Sequence, residues 1–210
     1  MRASTRRRWR PCRFWGCPGG SCSGRSLRRS PPDSDTRAET VLGIDPGTLR
    51  LGYGVLRASG GRWAVIEHGT VRTGGGDLPL RLRCVHEAVA RLIGRHSPGV
   101  VALERAFFGR NAASALRIGE ARGAVMVASA LAGVPVREFA PARVKRAITG
   151  SGRASKSQVA GMVVRLLSLR ARPAEDAADA LAIALCATRG GTRTTLARPS
   201  TPRRLRAVLT

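Results

Sequence analysis

From residue 41 onward the chain alternates short apolar runs with longer stretches in which apolar residues recur every three or four positions. Val41-Leu42-Gly43-Ile44 is an apolar run closed by Asp45 and a Pro46-Gly47 reversal. That pattern predicts a buried strand with a carboxylate at its open end, because a residue preceding proline is held extended. Leu51 to Ala58 and Trp63 to Thr73 read as two further strands joined through Gly60-Gly61, a hairpin signal. Leu82, Val85, Val89, Leu92 and Ile93 then fall on one helical face, and the helix stops near Ser97-Pro98-Gly99. Val100 to Glu104 is a second buried strand, and it too ends in an acid.

The second half is mostly helical. Asn111 to Ala132 is a long helix rich in Ala and Gly, with Leu116, Ile118, Val125, Met126 and Val127 spread around it. Such a helix needs cover on several sides, either from the core alone or from the core and a partner subunit. Val134 to Phe139 reads as a fifth strand. Helices follow at about 142–148, 157–167 and 175–188, separated by Gly150-Ser151-Gly152 and by Arg172-Pro173. Three hairpin strands followed by helix, strand, helix, strand and helices predict an α/β fold, a mixed sheet with helices on its faces. A right-handed crossover that lays the first and fourth strands side by side sets Asp45 and Glu104 at the same end of the sheet.

Composition sharpens this picture mainly through charge. The 210 residues are 43% apolar and 24% charged, enough for one core-forming domain with tails. Lys and Arg together number 37 against 13 Asp and Glu, a net charge of +24. The excess persists in residues 41–186, where 21 basic residues face 10 acidic ones. A basic globular part favours a polyanionic partner such as nucleic acid. No run of eighteen apolar residues marks a membrane span. The five cysteines do not form a disulfide framework, since Cys84 and Cys186 sit alone in predicted helices, and a reducing cytoplasm is the expected compartment. Cys12, Cys17 and Cys22 lack the spacing and the nearby His of a zinc site.

Residues 1–40 and 189–210 stand apart from the predicted domain at 41–188. Both are basic, without periodic apolar pattern, and are read as disordered extensions. The Arg- and Ser-rich, acid-poor start has the composition of an organelle-targeting segment, but it is read instead as translation from a mis-called upstream start.

Acids are scarce, so their positions carry information. From the local residues alone Asp45 is equally an ordinary Asp-Pro-Gly turn residue. Asp176 and Asp179 share one face near the start of the last helix. Dipole complementation in the first turn accounts for Asp176. It accounts less well for Asp179, which is followed by Ala180, Leu181, Ile183, Ala184 and Leu185 on an almost wholly apolar helix; a carboxylate there is costly unless paired or metal-bound. His68, His86 and His96 fall in a hairpin strand and a helix away from these acids and are read as solvated.

The blocks Gly43-Ile44-Asp45-Pro46-Gly47 and Gly52-Tyr53-Gly54-Val55 resemble the opening of the RuvC family of Holliday-junction resolvases. Glu104 with Phe107, Phe108 and Asn111, Ala121-Arg122-Gly123, Pro141 to Lys145, Lys156-Ser157-Gln158-Val159 and Asp176-Ala177-Ala178-Asp179 are similar to the family's later blocks in the same order, over about residues 41–187. The resemblance implies a ribonuclease H-like fold, a five-stranded mixed sheet flanked by helices. It implies that Asp45, Glu104, Asp176 and Asp179 are catalytic and bind two Mg²⁺ ions, with Mn²⁺ able to substitute. Hard Mg²⁺ prefers carboxylate and water oxygens, and two ions about 3.5–4 Å apart can flank one phosphate. The implied activity is nicking of two opposing strands of a four-way junction, leaving 5′-phosphate and 3′-hydroxyl ends, by a homodimer that cooperates with the RuvA–RuvB branch-migration complex.

DNA contact is expected from Lys145, Arg146, Arg153 and Lys156, which bracket the glycine-rich loop at 150–152; each taken singly is equally a solvated charge. Phe107 and Phe108 are adjacent aromatics after a strand end, so that with one in the core the other is free to stack on an unpaired base, Phe107 by resemblance. Two other readings of the same residues are a different ribonuclease H-type nuclease, acting for example on RNA in hybrids, and a non-catalytic junction-binding protein.

Overall fold

A computed structural model describes residues 40–59, 61–105 and 112–189. Five strands form one mixed sheet: β1 (Thr40–Asp45), β2 (Arg50–Ser59), β3 (Arg62–Arg72), β4 (Val100–Glu104) and β5 (Val136–Phe139), in the order β3-β2-β1-β4-β5. The first three are antiparallel neighbours, and β4 and β5 continue the sheet parallel to β1. The helices are α1 (Leu78–His96), α2 (Ala112–Leu131), α3 (Pro141–Thr149), α4 (Lys156–Leu166) and α5 (Glu175–Arg189). These bounds lie within a few residues of the periodicity reading, and the mixed α/β architecture is the one expected.

Strand alternation divides the core in two. Leu42, Ile44, Val101 and Leu103 point to one face and pack with Val85, Val89 and Leu92 of α1 and Val125 of α2. Val41, Val100 and Ala102 point to the other, among residues of α3, α4 and α5. Continuing the two-residue period by one step carries Asp45 and Glu104 to the α5 face. The helix ends follow from local chemistry. Asp77 caps α1 by accepting from the Leu80 N–H at 3.2 Å, and Ser155 with Gln158 forms a reciprocal capping box on α4. Gly150 ends α3 with φ 81°, a left-handed conformation that favours glycine.

α5 is apolar almost all round because it is buried almost all round, from Ala177 to Ala187. It lies against a trough of glycines. A Cβ on Gly43 would stand 2.8 Å from the Ala184 Cβ, one on Gly54 2.6 Å from the Leu181 Cδ2, and one on Gly52 would run into the Asp176 backbone. Side chains at these positions would lift the helix away from the sheet.

One histidine differs from the sequence expectation. His68 is exposed and His86 half-buried, but the His96 side chain is only 8% exposed, with Nε2 2.8 Å from Glu67 Oε2. Tyr53 donates to the same carboxylate at 2.9 Å and Arg95 at 3.1 Å. The fold brings the end of α1 onto β3, a long-range contact that periodicity does not encode.

The glycine trough predicts that Gly54→Ala overpacks the α5 interface and lowers stability by about 1–3 kcal/mol. Urea unfolding checks it; an unchanged midpoint would show that α5 does not need this close approach.

Candidate functional site

Asp45 and Glu104 end adjacent parallel strands, with Ile44 in register with Leu103. α5 crosses over their ends and brings Asp179 to the same cleft. The cleft has a volume of about 180 Å³ and is lined by Asp45, Glu104, Asp179, Lys145 and Lys156, together with Pro141, Val144 and Val159. Four segments far apart in the chain therefore meet at one point, and both lysines of the whole sequence are among them.

The remaining expected residues have separate places. Asp176 lies half-buried one turn earlier on α5, outside the cleft lining; its charge still raises the Asp45 pKa. Arg146 is exposed on α3 and is not part of the lining. Arg153 opens onto a neighbouring groove with Thr149, Ser151, Gln158 and Arg165. Phe107 and Phe108 lie outside the described residues. A second cavity, about 190 Å³, also borders Asp45 and Glu104 and is walled by Pro46, Arg105, Ala115, Ile118 and Pro141.

The electrostatics are those of an anionic cluster short of cations. Asp45 is raised from 3.8 to about 7, chiefly by burial, then by the charges of Asp179, Glu104 and Asp176, with Lys156 opposing. Glu104 is raised by burial and by Asp179, against Lys156, Arg122 and Lys145. Asp179 is raised by burial, and Lys156 holds it back. Lys156 acts as a partial counter-ion: its Nζ is 3.0 Å from Glu175 Oε1 and 3.5 Å from Asp179 Oδ2.

Among the described residues no three acids are gathered closely enough to hold a metal ion. The donor set still fits a hard divalent cation: the acids supply only oxygen donors, their like charges disfavour one another, and among the described residues no thiol or imidazole lines the cleft.

Two residues beyond those expected from the sequence bear on the site. Glu175 anchors Lys156 from the cleft rim. Arg122, 7% exposed on α2, donates to the Glu104 carbonyl and pairs with Glu138. Its signal in the sequence was its isolation, as the one charged residue between Ala121 and Ala132.

Comparison with known proteins bears on the same region. The family model for crossover junction endodeoxyribonuclease RuvC matches residues 41–187. Proteins of that name from Shewanella sp. (strain MR-4) and Pseudomonas entomophila are 44% and 47% identical over 146 residues, covering 70% of this chain and 84% of theirs. Thermus thermophilus RuvC in complex with Holliday junction substrate aligns with TM-score 0.67 at 40% identity, over 70% of this chain and 92% of that one. The yeast mitochondrial Holliday junction resolvase Ydc2, at 14% identity and TM-score 0.52, shares the fold.

The raised Asp45 pKa has a consequence for stability. Between the ordinary value near 4 and about 7 the folded protein holds a proton that the unfolded chain releases, so stability falls as pH rises through this window. Asp45→Asn removes the cost and is expected to raise the melting temperature at pH 7–8 in chelator, with the gain fading as pH falls toward 4. Thermal melts at both pH values check it; an equal gain at pH 4 and pH 8 would rule out the charge as the cause.

Proposed function

The chain belongs to the RuvC family of crossover junction endodeoxyribonucleases, and on that premise we propose that it resolves Holliday junctions by nicking opposed strands at the cleft of Asp45, Glu104 and Asp179. The observation that carries the assignment of the site is the convergence of these acids with Lys145 and Lys156 where two parallel strands and a buried helix meet. Asp176, one turn from Asp179, completes the acidic set in this reading.

The roles of the side chains follow from their places. Asp45, Glu104, Asp176 and Asp179 would hold two Mg²⁺ ions, or Mn²⁺ in their stead. The ions would supply an activated water and neutralise charge at the departing 3′ oxygen, leaving 5′-phosphate and 3′-hydroxyl ends. Lys145 and Lys156 face the position of the scissile phosphate and offset its charge, while Arg146 and Arg153, outside the cleft, track the flanking backbone. Lys156, with its Nζ 3.5 Å from Asp179 Oδ2, would offset charge on that acid or on the phosphate. Phe107 and Phe108 are assigned to stacking on bases at the junction centre. No side chain has to attack phosphorus.

Paired nicks need paired sites, and a two-fold substrate is matched by a two-fold dimer. α2 offers the surface: Leu116, Val127 and Leu131 fall on one stripe of the helix and are 67%, 53% and 76% exposed. Family membership also supports cooperation with the RuvA–RuvB complex and action in the cytoplasm on recombination intermediates.

Two outcomes follow. Asp45→Asn is expected to lower nicking of a labelled four-way junction at least 1,000-fold, of the order of the losses from removing an electrostatic transition-state group, while junction binding persists; cleavage within tenfold of wild type would refute the acid's role. Leu131→Asp is expected to shift the protein from dimer to monomer in light scattering and to uncouple the two nicks, whereas an unchanged mass would move the dimer face elsewhere.

A further inference from the structure

The end of β4 carries a backbone problem that one buried side chain solves. The N–H groups of Val101 and Arg105 donate to the carbonyls of Pro135 and Phe139, so these residues turn their peptide groups toward β5. Alternate residues of a strand address opposite neighbours, and the Glu104 peptide therefore faces β1. The pairing of Ile44 with Leu103 sets Asp45 beside Glu104. In a parallel ladder of that register the Glu104 carbonyl would accept from the residue after Asp45. That residue is Pro46, which has no N–H. The ladder ends with an orphan acceptor at the residue that bears the acid.

Arg122 supplies the missing donor. Its Nη1 donates to the Glu104 carbonyl, and its Nη2 pairs with Oε1 of Glu138. Glu138 stands on β5 opposite Leu103, one residue before Glu104. The planar guanidinium thus spans the last rungs of β4 and β5 from α2, a task for a fork of donors that a single ammonium cannot reproduce. Arg122 lines neither cavity beside the acids, so it acts through Glu104 and not on substrate.

We infer that Arg122 is a positioning residue for Glu104: it completes the ladder that Pro46 interrupts, fixes the Glu104 carboxylate beside Asp45, and is itself held by Glu138. The role rests on the reading of Asp45 and Glu104 as metal-binding acids, and it makes the Asp-Pro motif and Arg122 mutually dependent. Pro46 closes the turn after Asp45 at the cost of a hydrogen bond, and Arg122 restores that bond from another element.

The test uses full-length protein and Mn²⁺ as the probe, with calorimetric Mn²⁺ affinity without DNA, junction affinity in Ca²⁺, and nicking at saturating junction and Mn²⁺. Arg122→Lys and Glu138→Gln are expected to bind the junction within about twofold of wild type. Their Mn²⁺ affinity or maximal nicking rate falls about 10–100-fold, the usual effect of losing a group that orients a ligand. Adding Pro46→Ala to Arg122→Lys returns a backbone N–H and recovers at least threefold of that loss, a coupling that a general packing defect would not show.

Wild-type Mn²⁺ affinity and nicking in Arg122→Lys would overturn the inference, as would a loss that Pro46→Ala leaves untouched. If the Arg122 variants do not fold, a folded Glu138→Gln protein with unchanged Mn²⁺ affinity and rate overturns it equally. Asp45→Asn serves as the control: unaltered Mn²⁺ affinity there would sink the reading of the acids themselves. Loss in Asp45→Asn with none in Arg122→Lys would remove only the role of Arg122.

Discussion

The seating of α5 on the glycines of β1 and β2 is the constraint on which the site depends. Asp179 reaches the ends of β1 and β4 only because Gly43, Gly52 and Gly54 leave no Cβ between helix and sheet. The same contact explains why α5 is apolar on nearly every side: the sheet lies beneath it and α3 and α4 flank it. Asp176 and Asp179 thus stand on a helix that is otherwise core from Ala177 to Ala187. Burial is the leading cause of the raised Asp179 pKa, so the close packing that builds the site also raises its electrostatic cost.

That cost organises the surroundings. Asp45, Glu104 and Asp179 oppose one another's ionisation, and the chain answers with few but well-placed cations. Lys156 bridges Asp179 and Glu175, Lys145 lines the cleft wall, and Arg122 approaches Glu104 from behind. The other arginines among the described residues are mostly exposed, where they suit a polyanion. A site whose buried acids oppose one another's ionisation is suited to gather cations and phosphate together, since each neutralises what the other leaves exposed.

Much of this was legible in the sequence for identifiable reasons. Strand and helix spans follow from apolar periods of two and of three to four, and the bounds of β1, β4 and α5 agree with that reading because the elements are either wholly buried or cleanly amphipathic. Strand alternation and a right-handed crossover were enough to place Asp45 beside Glu104. The burial of His96 was not legible, because its partner Glu67 is twenty-nine residues away on β3. Nor was the separation of Arg153 from the cleft: proximity to the glycine loop in sequence does not say toward which side of α4 a side chain turns.

The sequence by itself determined the order of elements, the two strand-end acids, the pair on the last helix and the strongly basic character of the chain. These are local properties: periodicity, turn chemistry and composition. The tertiary structure alone decided which basic residues share the cleft with the acids, and that Arg122 serves the Glu104 carbonyl. Those facts depend on register and on the distance of closest approach between helix and sheet. Only the folded chain brings the missing N–H of Pro46 to the same strand ends as the guanidinium of a residue seventy-six positions later.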